Sequence, residues 1–97
     1  MSEKLTSYDP AAALVDDEEI AAILSDALET GDAAFIAKSI GVVARARGMA
    51  EIASRTGLSR EQLYRSLGAD GNPTLKTTIA VSKALGVDLA AKSRSAA

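Results

Sequence analysis

The most constraining stretch of this chain is residues 49–67, where a short helical pattern breaks at Gly57 and resumes from Ser59. Ile52 and Ala53 mark the inward side of the first segment. Gly57 suits the left-handed position just past a helix end, where a β-carbon is strained. Ser59 and Gln62, three residues apart, have the spacing of a capping box. The small side chain of Ala53, four residues before Gly57, lets two helices approach closely. Leu58, Leu63 and Leu67 anchor the second segment, the last two on one face at i and i+4. Two short helices joined by a tight glycine turn make a helix-turn-helix, whose second helix fits a DNA major groove.

The outward side of that second helix carries the chemistry. Arg60, Glu61, Tyr64 and Arg65 point away from Leu63 and Leu67. Guanidinium forks bond guanine edges or phosphates in pairs. Tyr64 offers a hydroxyl to a phosphate or a ring to a thymine methyl, and Glu61 can accept from cytosine or complete an acidic first turn. The plainer reading is the solvated face of an α-hairpin. Glycine, small residue and capping serine in this register favour DNA binding.

Composition sets the fold class. Forty-seven per cent of residues are hydrophobic, yet twenty are alanine and three aromatic. Alanine favours helix and buries little area, so the core of one subunit is thin and a partner surface is expected. With two prolines and seven glycines at plausible helix ends, the class is all-α, a bundle of about five to six helices. Cysteine and histidine are absent, which removes thiolate chemistry and the commonest metal ligand and general base. No enzyme, cofactor or metal site is expected. The longest apolar runs reach about five residues, against about 20 for a bilayer span, and no secretion signal opens the chain. A cytoplasmic protein without a membrane partner is expected.

Net charge is −2, but it is unevenly placed. Residues 1–37 hold nine acidic residues and one lysine, −8; residues 38–97 hold ten basic and four acidic, +6. A basic half therefore surrounds the helix-turn-helix. The acidic half is the candidate surface for a basic protein partner.

In order, residues 1–15 read as an N-terminal arm, with Pro10 disfavouring helix at Asp9 and a helical turn at residues 11–15. Asp16 is placed to cap a helix whose first turn holds Asp17, Glu18 and Glu19; consecutive acids there serve capping more often than metal binding. Ile20, Ile23, Leu24, Ala27 and Leu28 form its apolar stripe, ending near Gly31. Asp32 caps a second helix with Phe35, Ile36, Ile40 and Val43 inward and Arg45 and Arg47 at its end. After a loop by composition at residues 68–73, Thr74 caps a last helix with Leu75, Ile79, Val81 and Leu85 inward, ended by Gly86. Asn72, Thr74, Lys76 and Thr77 make a polar helix start of the kind that holds a phosphate. Residues 87–89 alternate and can supply a short C-terminal strand. Residues 16–89 thus form the DNA-binding domain with two preceding helices, and residues 90–97 a flexible tail.

Asp9-Pro10, Asp16–Glu19, Ala44-Arg45-Ala46-Arg47-Gly48-Met49, Gly57-Leu58-Ser59-Arg60-Glu61, Leu63-Tyr64-Arg65, Gly71-Asn72-Pro73-Thr74-Leu75 and Lys83-Ala84-Leu85-Gly86 occur in that order. This resembles the probable addiction-module antidote family, HigA-like antitoxins with a lambda-repressor-like helix-turn-helix. The resemblance covers roughly residues 8–89. It implies a homodimer that binds double-stranded operator DNA, represses its own operon and neutralises a cognate small ribonuclease toxin of the HigB/RelE-like class. DNA contact would fall on Ser59, Arg60, Tyr64 and Arg65, with phosphate contacts near Asn72, Thr74 and Lys76. The first helix of such motifs often opens on a phosphate-binding glutamine; Met49 stands there and cannot serve. The segment after Gly86 is poor in β-formers for a strand-paired dimer. Two other readings are a stand-alone prophage-type repressor and a helical protein-interaction module without DNA binding.

Overall fold

A computed structural model describes residues 16–94. Within them the chain forms five α-helices and no strand: α1 (Asp17–Glu29), α2 (Ala33–Arg47), α3 (Met49–Thr56), α4 (Arg60–Ser66) and α5 (Leu75–Ala84). The arm at residues 1–15, including Asp9-Pro10 and the helical turn expected at residues 11–15, lies outside the described residues.

The helix starts follow the expected caps. The Asp16 carboxylate accepts from the Glu19 N–H at 2.8 Å, and the Glu19 carboxylate accepts in return from the Asp16 N–H at 3.4 Å. Asp32 accepts from the N–H groups of Ala34 and Phe35, and Thr74 from that of Thr77. The acidic cluster at residues 16–19 is thus largely engaged: Asp16 and Glu19 cap α1, and Asp17 pairs with Arg47 at 3.2 Å, tying the start of α1 to the end of α2.

Helix α3 lies at the centre of the order: α1 packs on α2, α2 on α3, and α3 on both α4 and α5. The shared core joins Ile20 and Leu24 of α1, Ile40, Val43 and Ala44 of α2, and Met49 and Ile52 of α3. Leu63, Leu67, Val81 and Leu85 complete it from the far side, all 1% exposed or less. Met49, unfit as a phosphate ligand, is buried in this core.

The turn between α3 and α4 is fixed twice. Gly57 takes φ 79°, and its N–H donates to the Ala53 carbonyl at 2.9 Å. The Thr56 hydroxyl donates back to the Ile52 carbonyl at 2.8 Å and accepts from the Leu58 N–H at 3.2 Å. Nothing in the residue pattern pointed to this second clasp.

Five residues expected inside are exposed. On α1, Ile20, Leu24 and Ala27 are buried, while Ile23 and Leu28 are not. At 100° per residue the last two sit about 60° and 80° off Ile20, at the edges of the seam that α1 packs mainly against α2. Phe35 is 47% exposed, because it lies roughly opposite the buried face of Ala37, Ile40, Gly41, Val43 and Ala44. On α5 the buried side is Val81, Ser82 and Leu85, leaving Leu75 and Ile79 outside. The expected strand at residues 87–89 is also absent: Val87 donates its N–H to the Ser82 carbonyl at 3.0 Å and packs half-buried against the core instead.

Candidate nucleic-acid interface

Helix α4 is seven residues long, too short to hold itself in water, so its direction is set by its cap and by burial. Ser59 Oγ accepts from the Gln62 N–H at 3.0 Å, and Gln62 Oε1 accepts from the Ser59 N–H at 3.1 Å. Leu63 is 0% exposed and Leu67 1%, which fixes the rotation of the helix. With that side anchored, Ser59, Arg60, Glu61, Tyr64 and Arg65 all lie on the exposed side, Tyr64 at 45%.

Among the described residues, none of these charged groups is in an ion pair. Among the described residues the ion pairs are Arg47–Asp17, Arg55–Glu51 and Lys92–Glu29. Arg60, Arg65 and Lys76 are in none of them. The Arg55–Glu51 pair, 2.8 Å apart and i,i+4 on α3, removes one cation from the same half of the molecule. Chemically, α4 presents two guanidinium forks, a phenol and one carboxylate on one side, a set suited to phosphate oxygens and base edges.

The second group, Asn72, Thr74 and Lys76, is exposed on the loop and first turn that follow. Its position depends on Gly71. A β-carbon at Gly71 would overlap the Ser66 carbonyl, so only glycine lets the loop fold back on the end of α4. The Gly71 N–H donates to the Gly68 carbonyl at 3.0 Å, closing the turn. Gly71→Ala is expected to lower stability by about 1–3 kcal/mol, since backbone rather than a flexible side chain must yield. Chemical denaturation of the variant checks this.

The Thr74 hydroxyl is already engaged, accepting from the Thr77 N–H and donating to Thr77 Oγ1, both at 3.1 Å. An anion here would meet unpaired first-turn N–H groups of α5 and the Lys76 ammonium. Away from this side, Lys92 and Glu29 form the exposed pair that joins the C-terminal segment to the end of α1. Its hydrogen bond and charge hold the Glu29 carboxyl below its ordinary range and the Lys92 ammonium above its own. The link is present above the ordinary glutamate range and is lost as pH falls through the depressed Glu29 value. No helix among the described residues is long and apolar enough to cross a membrane.

Comparison with known proteins adds a likeness to this geometry. Residues 4–93 match the family described as probable addiction module antidote protein. A protein of Haemophilus influenzae (strain ATCC 51907 / DSM 11121 / KW20 / Rd), described as an uncharacterized protein, is 42% identical over 85 residues, covering 88% of each chain. No solved structure matches.

Proposed function

The chain belongs to the probable addiction module antidote protein family, and on that premise we propose that it binds and neutralises a small ribonuclease toxin and represses its own operon as a DNA-bound homodimer. The observation that carries the DNA half is the Arg60–Tyr64–Arg65 side of α4, exposed above a fully buried Leu63 and without an ion pair among the described residues. Two subunits place their α4 helices in successive major grooves, about 34 Å apart, on a roughly palindromic operator. Asn72, Lys76 and the start of α5 hold phosphates on either side. Lysine and arginine contacts supply most of the affinity, so binding to the DNA upstream of the chain's own gene weakens steeply with salt. A gel-shift titration tests this; weak binding with no salt dependence would refute it.

The toxin half rests on charge. Helix α1 exposes Asp17, Glu18, Glu19, Asp26 and Glu29, an acidic surface matching the basic RNA-binding face of a ribonuclease. Because Ile20, Leu24 and Ala27 of the same helix are in the core, the test reverses charges and keeps the helix. Glu18→Arg with Asp26→Arg is expected to lose growth rescue and co-purification when co-expressed with the adjacent small gene, at an unchanged melting temperature. Full rescue by that variant would move the toxin contact elsewhere.

A further inference from the structure

We infer that the outward side of α2 receives α1 of a further copy of this chain, a contact between unlike surfaces that adds copies beyond the homodimer. The inference stands apart from the DNA and toxin readings. Lys38, Val42 and Arg45 follow one another at i, i+4 and i+7 on α2, all exposed, Val42 at 53%. Glu19, Ile23 and Asp26 repeat that spacing on α1, again all exposed, Ile23 at 42%. Each set is a charge, an apolar side chain and a second like charge within an arc of about 60°. The two charges of either set stand about 10 Å apart along the axis. A cation and a carboxylate can therefore pair at both ends while Val42 meets Ile23 between them. The match holds for parallel and antiparallel helices, with the apolar residues at most about 1.5 Å out of step.

These two surfaces do not meet within one chain. Helix α1 packs on α2 through Ile20 and Leu24 against Ile40, Val43 and Ala44, which leaves Ile23 and Val42 uncovered. Lys38, Arg45, Glu19 and Asp26 are in no ion pair among the described residues. Glu19 accepts from the Asp16 N–H and keeps its charge exposed while doing so.

Charge and shape together select the occupant. Phe35, Lys38 and Arg45 line a groove of about 400 Å³ whose other wall includes Leu67, Gly68 and Ala69, a seat for the ridge of a helix. Duplex DNA would satisfy the two cations and leave Val42 and Phe35, 53% and 47% exposed, without apolar cover. A basic ribonuclease would be repelled by them. The α1 ridge supplies two carboxylates and an apolar side chain at the matching spacing. Because the two surfaces differ and every copy carries both, the contact is heterologous and can repeat from copy to copy.

Sedimentation of the full chain without DNA, over a concentration series at low and high salt, tests the assignment, with thermal unfolding of each variant alongside. The wild-type chain is expected to build species larger than a dimer as concentration rises and to lose them in high salt. Lys38→Glu with Arg45→Glu should weaken that growth on the order of tenfold and keep the dimer. Val42→Glu, which retains both cations, should act alike and supports the same conclusion if the double variant unfolds early. Asp26→Lys should also lose the larger species. Mixing it with the double variant should restore association, since each then supplies the surface the other lacks. Larger species that persist in the double variant, or a mixture that stays apart, would overturn the inference. A wild-type chain that never exceeds two copies would overturn it too and leave the homodimer reading intact. Loss of toxin co-purification in the double variant, with its self-association unchanged, would give the groove to the toxin and overturn the inference.

Discussion

Replacing Arg60 and Arg65 together by alanine is expected to abolish selective binding to the chain's own upstream DNA and leave its thermal unfolding unchanged. The two halves of that expectation have separate grounds. Neither guanidinium pairs with any carboxylate among the described residues, and both lie on the exposed side of α4, so the fold loses nothing it uses. Alanine is also the better helix former. On the DNA side, a bidentate arginine–guanine contact contributes about 1–3 kcal/mol of discrimination. Losing two weakens specific binding on the order of 10²- to 10⁴-fold if their effects add. Lys76→Ala should behave differently: about equal weakening on all sequences, with the salt slope reduced by about 1. Competition titrations against scrambled duplex separate the two patterns. Undiminished selectivity in the double-arginine variant would remove α4 as the reading helix.

How far the sequence could be read depended on the kind of interaction each residue makes. Caps are local: Asp16, Asp32, Ser59 and Thr74 bond to N–H groups two or three residues on, and each was visible from its neighbours alone. The helix-turn-helix was legible for the same reason, because Gly57 and the Ser59–Gln62 box act within a few residues. Burial is not local. A stripe such as Ile20, Ile23, Leu24, Ala27 and Leu28 says which side faces in but not how wide the contact is; here its centre is covered and its edges are open. Phe35 and Ile36 both read as inward from their apolar character, although adjacent helical residues diverge by about 100°. The role of Gly71 was hidden too, since it depends on where the Ser66 carbonyl lies after the chain turns back. Which side of α4 is exposed is legible from periodicity, because Leu63 and Leu67 fix the helix rotation. Leu75 and Ile79 of α5 read as core from their spacing, yet they are exposed, because apolar character alone does not say whether a neighbouring element covers a side chain.

Leu63 and Tyr64 are adjacent in sequence, yet substituting each by alanine is expected to produce opposite results. Leu63 is fully buried in the core shared by all five helices. Removing its side chain costs the transfer of the lost methyl groups plus the cavity left behind, about 2–5 kcal/mol. Against a total of roughly 5–15 kcal/mol for a small domain, that is a large share. The melting temperature should fall by about 8–40 °C, at roughly 4–8 °C per kcal/mol for a domain of this size. The fraction that remains folded still carries Arg60, Tyr64 and Arg65 in place, so affinity corrected for folded protein should change little. Tyr64, at 45% exposure, contributes far less to the core, and its truncation should alter stability by less than about 1 kcal/mol. On the proposed reading its phenol and ring face the duplex, so operator affinity should fall while the melting point moves by no more than a few degrees. Denaturation and DNA titration on the same two preparations separate the roles. If Tyr64→Ala melts the chain, or Leu63→Ala leaves it intact, the rotation of α4 is wrong, and with it the assignment of every residue on that side.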